Sequence, residues 1–186
     1  MKKLLRVLAI DDGFFSPKKK GSAIIVGVVS RLDSRVEGIL SSSVKVDGLD
    51  STRKIISLLQ KSKFKTQANF LILDGLNFAG FNIADLEKLN KELGIPAIAV
   101  MRRKPNMKKI EMALSNFKDS KKRLALIQKA GPILKAKKVC FQFSGGKEKE
   151  IKEILNKTGK HGNLPEPLRL AHLIASGISL GESTRP

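Results

Sequence analysis

Four carboxylates stand where this chain changes from one element to the next. Asp11 follows the apolar run LLRVLAI, Asp50 precedes STRKIISLLQKSK, Asp74 ends NFLILD, and Glu166 opens the last helical stretch. Functional groups of α/β sheets collect at such ends. Carboxylates brought together repel one another, and a proton or a cation between them relieves the repulsion. Mg²⁺ or Mn²⁺ suits that need, being a hard cation that prefers carboxylate oxygen and water. A metal pair about 3.5–4 Å apart would hold a phosphate, activate water and stabilise the leaving oxygen. Each acid also has an ordinary local use. Asp11-Asp12-Gly13 and Asp74-Gly75 read as turns, Asp50 as a helix cap, and Glu166 as a first-turn acid. Asp12 offers the same chemistry as Asp11, and the sequence leaves that choice open.

The cations point to a polyanion. With 36 Lys and Arg against 17 Asp and Glu among 186 residues, the net charge is +19. From Arg102 to Lys147 there are 14 basic residues against Glu111 and Asp119, an excess of +12. A field of that size attracts nucleic acid and predicts steep salt dependence. The competing reading is a Lys-rich solvated surface of the kind found in thermophiles. Arg102, Arg103 and Lys104 form a basic turn after a strand, where plain surface charge is the competing reading for the two arginines. There is no Trp or Tyr, so a broad stacking platform for single strands is not expected. Phe14, Phe15, Phe78 and Phe81 sit in loops beside acids, where core packing competes with base contact. His172 reads first as a packed helix residue and second as a ligand or catalyst, and His161 lies in a Lys-His-Gly loop.

Composition also excludes several classes. With 41% hydrophobic residues the chain can form a core, and the single Cys140 rules out an intramolecular disulfide framework and a cysteine zinc cluster. No apolar run approaches the roughly 18 residues of a membrane span, so a cytoplasmic protein without a membrane partner is expected.

The elements that must position these groups follow from periodicity. Residues 4–10, SAIIVGVVSRL and VEGILSSSVKV read as three strands, the last two joined at Asp33-Ser34 and therefore antiparallel. STRKIISLLQKSK is an amphipathic helix capped by Asp50 or Ser51, and NFLILD is a buried parallel strand. Asn82 is expected to open the next helix and Gly94 to end it. Ile95 to Val100 is another buried strand. Helices are expected over 106–117, 119–130, 148–156 and 165–176, with Lys138 to Phe143 as a last strand at the sheet edge. The expected class is α/β, one domain over 1–186. Three antiparallel strands are followed by αβαβ in a mixed sheet with helices on both faces.

The stretch LILDGLNFAGFNIADLEKLNKELGIPAIAVMRRKP resembles endonuclease V. Asp11-Asp12-Gly13-Phe14, Val46-Asp47-Gly48-Leu49-Asp50 and Pro165-Glu166-Pro167-Leu168-Arg169-Leu170-Ala171-His172 resemble, more closely, an archaeal endonuclease-V-like family. That family is associated with deoxyuridine-directed endonuclease activity. The resemblance spans nearly the whole chain and implies a ribonuclease-H-like fold with divalent-metal cleavage of phosphodiesters, leaving a 3′-hydroxyl and a 5′-phosphate. It implies that Asp11, Asp50, Asp74 and Glu166 are catalytic and bind the metal. Asp50 is the acid nearest to a family Glu, and it lies 24 residues before Asp74. Glu166 fits an acidic or His position on the last helix, with Arg169 and His172 beyond it. Arg102 stands where Lys is usual, and Arg103, Lys104 and Arg169 would add nucleic-acid contacts. The family's Tyr-Ile-Pro wedge is absent from SSSVKVDGLD. Phe14-Phe15 or the loop at Leu76-Asn77-Phe78 would have to replace it, because flipped bases need apolar contacts.

The leading expectation is therefore a metal-dependent endonuclease acting on deaminated or damaged DNA. The alternative is a non-catalytic nucleic-acid-binding module on the same scaffold. Convergence of Asp11 and Asp74 with either Asp50 or Glu166 would separate the two.

Overall fold

A computed structural model describes residues 4–16, 21–159 and 164–186. The chain runs β1 (Arg6–Asp12), β2 (Ser22–Arg31), β3 (Val36–Lys45), α1 (Ser51–Gln60) and β4 (Phe70–Asp74). A small hairpin, β5 (Asn77–Phe78) and β6 (Asn82–Ile83), precedes α2 (Leu86–Leu93) and β7 (Ala97–Met101). Then come α3 (Met107–Leu114), α4 (Ser120–Lys129), β8 (Leu134–Ala136), β9 (Val139–Ser144), α5 (Glu148–Thr158) and α6 (Glu166–Leu180). The main sheet has seven strands in the order β3-β2-β1-β4-β7-β9-β8.

The central strands β1, β4 and β7 are apolar nearly throughout because both their faces are covered. Their pleat sends alternate side chains to opposite sides. Leu8, Ile10, Leu71 and Leu73 enter one core with residues of α1, α2, α3 and α4. Val7, Ala9, Phe70 and Ile72 enter a second core with residues of α5 and α6. The β1–β4 and β4–β7 pairs are parallel, while β1–β2 and β2–β3 are antiparallel. This is the mixed ribonuclease-H-like sheet expected from the order of elements.

Three local expectations are corrected. Lys138 to Phe143 does not supply the edge: β9 is paired on one side with β7 and on the other with β8, which is the edge strand. The three residues of β8 are too few and too basic to read as a strand. Asn82 does not open α2; it lies in the hairpin, and Asp85 caps the helix by accepting a hydrogen bond from Lys88 N at 3.0 Å. The last helix passes Ser176 and ends at Gly181, whose φ of 87° closes it in the left-handed region. Its Ser and Gly content masks that final turn. No helix among the described residues is long and apolar enough to cross a membrane.

Candidate active site

The pleat of β1 separates its two acids. Asp11 has the parity of Val7 and Ala9 and faces α6, whereas Asp12 has the parity of Leu8 and Ile10. Asp74 has the parity of Phe70 and Ile72, so it projects on the same side as Asp11. The register pairs Ile10 with Leu73, and one step further along the parallel strands sets Asp11 beside Asp74. Gly75 then leaves the strand at φ 75°, its N–H donating to Val100 O at 2.8 Å. An L side chain would be strained there.

The third group comes from α6. His172, Ser176 and Leu180 recur every fourth residue, and all three line the cleft above Asp11 and Asp74. Helical neighbours at that spacing share a face. Gly13 allows α6 to approach this closely. A Cβ at Gly13 would lie 2.8 Å from Ala175 O, 2.9 Å from Ser179 Oγ and 2.7 Å from Ile24 Cγ2. Ser179 Oγ also accepts the Phe14 N–H at 2.8 Å, which ties the loop after β1 to the helix.

Asp11, Asp74 and His172 each present a ligand atom, and these atoms lie within 4.8 Å of one another. His172 Nδ1 is 2.8 Å from Asp11 Oδ2, and its Nε2 is 3.0 Å from Thr184 Oγ1. Asp11 is only 4% exposed. The Asp11 hydrogen bond and charge hold the His172 pKa above its ordinary value against the opposing effect of burial. Burial, then the Asp11 charge, push Asp74 up to about 6, although Arg102 and His172 oppose the rise. Arg102 Nη2 lies 3.4 Å from Asp74 Oδ2.

Asp12 also reaches the cleft, but its Oδ2 accepts the Ala79 N–H at 2.7 Å. Burial raises its pKa to about 7, with the Asp11 and Asp74 charges adding to the effect. A cation placed between these carboxyls would favour their charged forms and lower both values. Two carboxylates and an imidazole converging at a largely desolvated point form a donor set that fits a hard divalent cation.

The cleft measures about 550 Å³ and is bounded by Phe14, Phe15, Arg102 and Thr184 as well as the groups above. Phe14 is 60% exposed at its rim. On the other side of Asp74 lies a second, more apolar cavity of about 380 Å³, between β7, β9 and the α3–α4 pair. Asp74 belongs to the wall of both.

The remaining expected residues stand elsewhere. Asp50 is absent from the converging group. Its Oδ1 accepts hydrogen bonds from Lys45 N at 3.1 Å and Asn82 Nδ2 at 2.7 Å, and its side chain makes no cap bond. Asn82, fully buried, satisfies the helix start instead: its Oδ1 accepts the Ser51 N–H at 2.9 Å. Glu166 is also outside the group and forms a two-pronged pair with Arg169, at 2.8 and 2.6 Å. Six residues of helix, about 9 Å of rise, separate Glu166 from His172. Neither Glu166 nor Arg169 lines the cleft among the described residues.

Arg103 and Lys104 are exposed beyond β7. Phe78 is fully buried and belongs to the core, so it offers no face to a base. His161 lies outside the described residues. His172, expected first as a packed helix residue, stands within reach of Asp11 and Asp74. Its signal is the four-residue spacing with Ser176 alongside the buried stripe Leu168, Ala171 and Ala175.

Comparison with known proteins bears on the family and the fold. A family model described as endonuclease dU matches residues 3–179. A UPF0215 protein of Methanopyrus kandleri is 39% identical over 97% of this chain and 94% of its own length. The crystal structure of a protein of unknown function from Archaeoglobus fulgidus is 36% identical. It superposes with a TM-score of 0.87 over 94% of this chain and 98% of its own. Endonuclease V of Bacillus subtilis shares the fold at 12% identity, with a TM-score of 0.62 over 91% of this chain and 78% of that one. Endonuclease V of Ciona intestinalis, solved with DNA containing an inosine, does so at 15% identity. Its TM-score is 0.57 over 92% of this chain and 84% of its own.

Proposed function

Because the chain belongs to the endonuclease dU family, we propose that it hydrolyses a phosphodiester bond of DNA beside a deaminated base, using Mg²⁺ or Mn²⁺. Neither Asp50 nor Glu166 joins Asp11 and Asp74, the outcome that favours a binding module. The observation that carries the nuclease reading is instead the convergence of His172 with Asp11 and Asp74 in a cleft flanked by Arg102, on a chain of net charge +19.

Asp11 and Asp74 hold the cation, with His172 as a third donor or as the group that fixes the Asp11 carboxylate. When bound, such an ion offsets the carboxylate charge, polarises a phosphoryl oxygen and makes water a competent nucleophile. Arg102 is 43% exposed along its side chain and can exchange Asp74 for a phosphate oxygen, which its fork holds in two places. The products carry a 3′-hydroxyl and a 5′-phosphate. Asp12, its pKa raised to about 7, is partly protonated near neutral pH and anchors the Ala79 loop. Its nearness to Asp11 makes it a reserve acid, and Asp11 is the ligand of the two.

DNA is drawn in by the basic surface that includes Arg102, Arg103 and Lys104. Bases acted on from a duplex leave the stack. Phe14 offers an exposed ring at the cleft rim, and the cavity behind Asp74 offers a mainly apolar space for the extruded base. Its size falls within the range of small-molecule pockets, roughly 300–1,000 Å³. Asp50 and Glu166, assigned to the metal by resemblance, act instead as structural acids of the β3–α1 turn and the α6 start.

The test is cleavage of labelled duplexes and single strands carrying uracil, hypoxanthine or no lesion, with Mg²⁺, Mn²⁺ or EDTA. Metal-dependent nicking beside the lesion that disappears in Asp74→Ala is the expected result. Salt-sensitive binding without nicking on any substrate, unchanged by the substitution, would make the protein a binding module instead.

A further inference from the structure

The cavity behind Asp74 is walled mainly by apolar groups, among them Met101, Met107, Ile110 and Ile127. Gln142 is the anomaly in it. It sits in the middle of β9, opposite Ala99 of β7, and is only 4% exposed. Its strand neighbours Phe141 and Val139 face the opposite core, so Gln142 points toward the α3–α4 side. An apolar residue would fill that position at lower desolvation cost.

One end of the amide is committed. Nε2 donates to Gly131 O at 2.7 Å, at the end of α4. That bond sets the orientation of the whole group, because a flip would put the amide oxygen against another carbonyl oxygen. Oε1 therefore opens on the cavity, and among the described residues it accepts no hydrogen bond. That oxygen is open to the cavity and not sealed in the core, so a ligand donor can reach it and take the place of water there.

The chemistry of that partner is specific. Cytosine carries a bare ring nitrogen at N3 and adenine one at N1, and both are acceptors. Deamination turns cytosine into uracil and adenine into hypoxanthine, and in each case the ring nitrogen becomes an N–H donor. A fixed acceptor accommodates the deaminated base in that pose and meets the parent base lone pair to lone pair. Thymine and guanine carry the same ring N–H, so their rejection falls to the apolar wall that the thymine methyl or the guanine amino group would meet.

We propose that Gln142 is the specificity-determining residue of this chain, its Oε1 accepting the ring N–H that deamination creates on a base seated in the cavity. The proposal rests on the nuclease reading above and adds to it the group that reads the base. The Nε2 bond by itself is explained by anchoring the Gly131 turn. The same bond leaves the oxygen as the acceptor that this cavity offers a ligand.

Two measurements test this, and they separate its fate from that of the nuclease. In single-turnover cleavage, Gln142→Leu keeps the thermal midpoint within a few degrees and the affinity for undamaged duplex unchanged. It loses roughly tenfold or more of the rate at uracil and at hypoxanthine, as expected when a hydrogen bond that reads the base is removed. An unchanged preference for uracil over cytosine, or an equal loss on every substrate and in affinity, overturns the proposal.

The second measurement is made on wild-type protein in EDTA, where no cutting occurs. The ¹⁵N side-chain amide signal of Gln142, identified by its loss in Gln142→Leu, should shift with a uracil-containing strand and not with its cytosine counterpart. A uracil-specific shift in a protein that never cuts with metal would keep the base reader and discard the nuclease. Lesion-directed cutting with no shift would do the reverse.

Discussion

At the scale of single residues, the site follows from the parity of two strands and the face of one helix. Asp11→Ala and Asp74→Ala are each expected to lower cleavage by roughly a hundredfold or more, because each removes a negative group where positive charge must be held. Asp50→Ala should instead lower the melting temperature and leave most of the cleavage rate, since its carboxylate engages Lys45 N, Asn82 and Arg53 and not the Asp11–Asp74 cleft. Rates and melting curves on the same three proteins check both statements.

The raised carboxyl pKa values also predict a pH signature. Asp12 and Asp74, at about 7 and about 6 in the folded state, bind protons that the unfolded chain has released above 3.8. Their contribution to stability is whole below that value and is lost as pH rises through 6 to 7. The raised His172 pKa acts in the same direction, its contribution being lost as pH rises through its folded value. Asp85 and Asp119 are shifted the other way, so their contribution falls away only in more acidic solution. Metal-free protein should therefore melt several degrees lower at pH 8 than at pH 5, and Mn²⁺ should raise the melting point more at pH 8. Equal Mn²⁺ stabilisation at both values would contradict the assignment.

At the scale of elements, two small features bring the pieces together. Gly13→Ala must push α6 away from the end of β1, because the added methyl meets backbone at Ala175 and the Ser179 side chain. His172 then leaves Asp11, and cleavage should fall more steeply than the melting temperature. Asn82→Ala removes the acceptor for Ser51 N–H and the donor to Lys45 O and Asp50. The expected cost is about 2–3 kcal/mol of stability, measured by denaturant unfolding, with kcat retained under native conditions.

This scale also shows what can be read from the chain. The apolar runs of β1, β4 and β7 and the acids that end them are plain, because burial on both faces leaves an unbroken hydrophobic signature. The same unbroken pattern hides the pleat, so nothing in RVLAIDD announces that Asp11 and Asp12 part to opposite sides. Asp50 is hard to read because a helix-start acid looks alike whether it faces a metal or a neighbouring loop. The partner that decides the matter, Asn82, lies 32 residues further along the chain. Gln142 is hidden inside a strand pattern, since its meaning depends on Gly131 across the cavity.

At the scale of the whole molecule, the surplus of +19 acts on encounter and affinity more than on the chemical step. Affinity for undamaged duplex should fall linearly on logarithmic axes as salt rises. Replacing Arg102, Arg103 and Lys104 together by Ala should reduce that slope by about one for each phosphate they neutralise. The Arg102 substitution alone should also lower the cleavage rate at saturating DNA, because it stands at the cleft. A full complement of salt-sensitive binding in the triple variant would move the DNA path to another part of the basic surface.

The central claim is that Asp11, Asp74 and His172 form the seat of a divalent cation. Titration of Mn²⁺ into metal-free protein at about pH 7.5, followed by electron paramagnetic resonance, tests it without any assumption about the substrate. Wild type and Asp50→Ala should bind Mn²⁺ alike, while Asp11→Ala and Asp74→Ala should lose most of the bound signal. Loss in Asp50→Ala with retention in Asp74→Ala would contradict the assignment and place the metal in the β3–α1 turn.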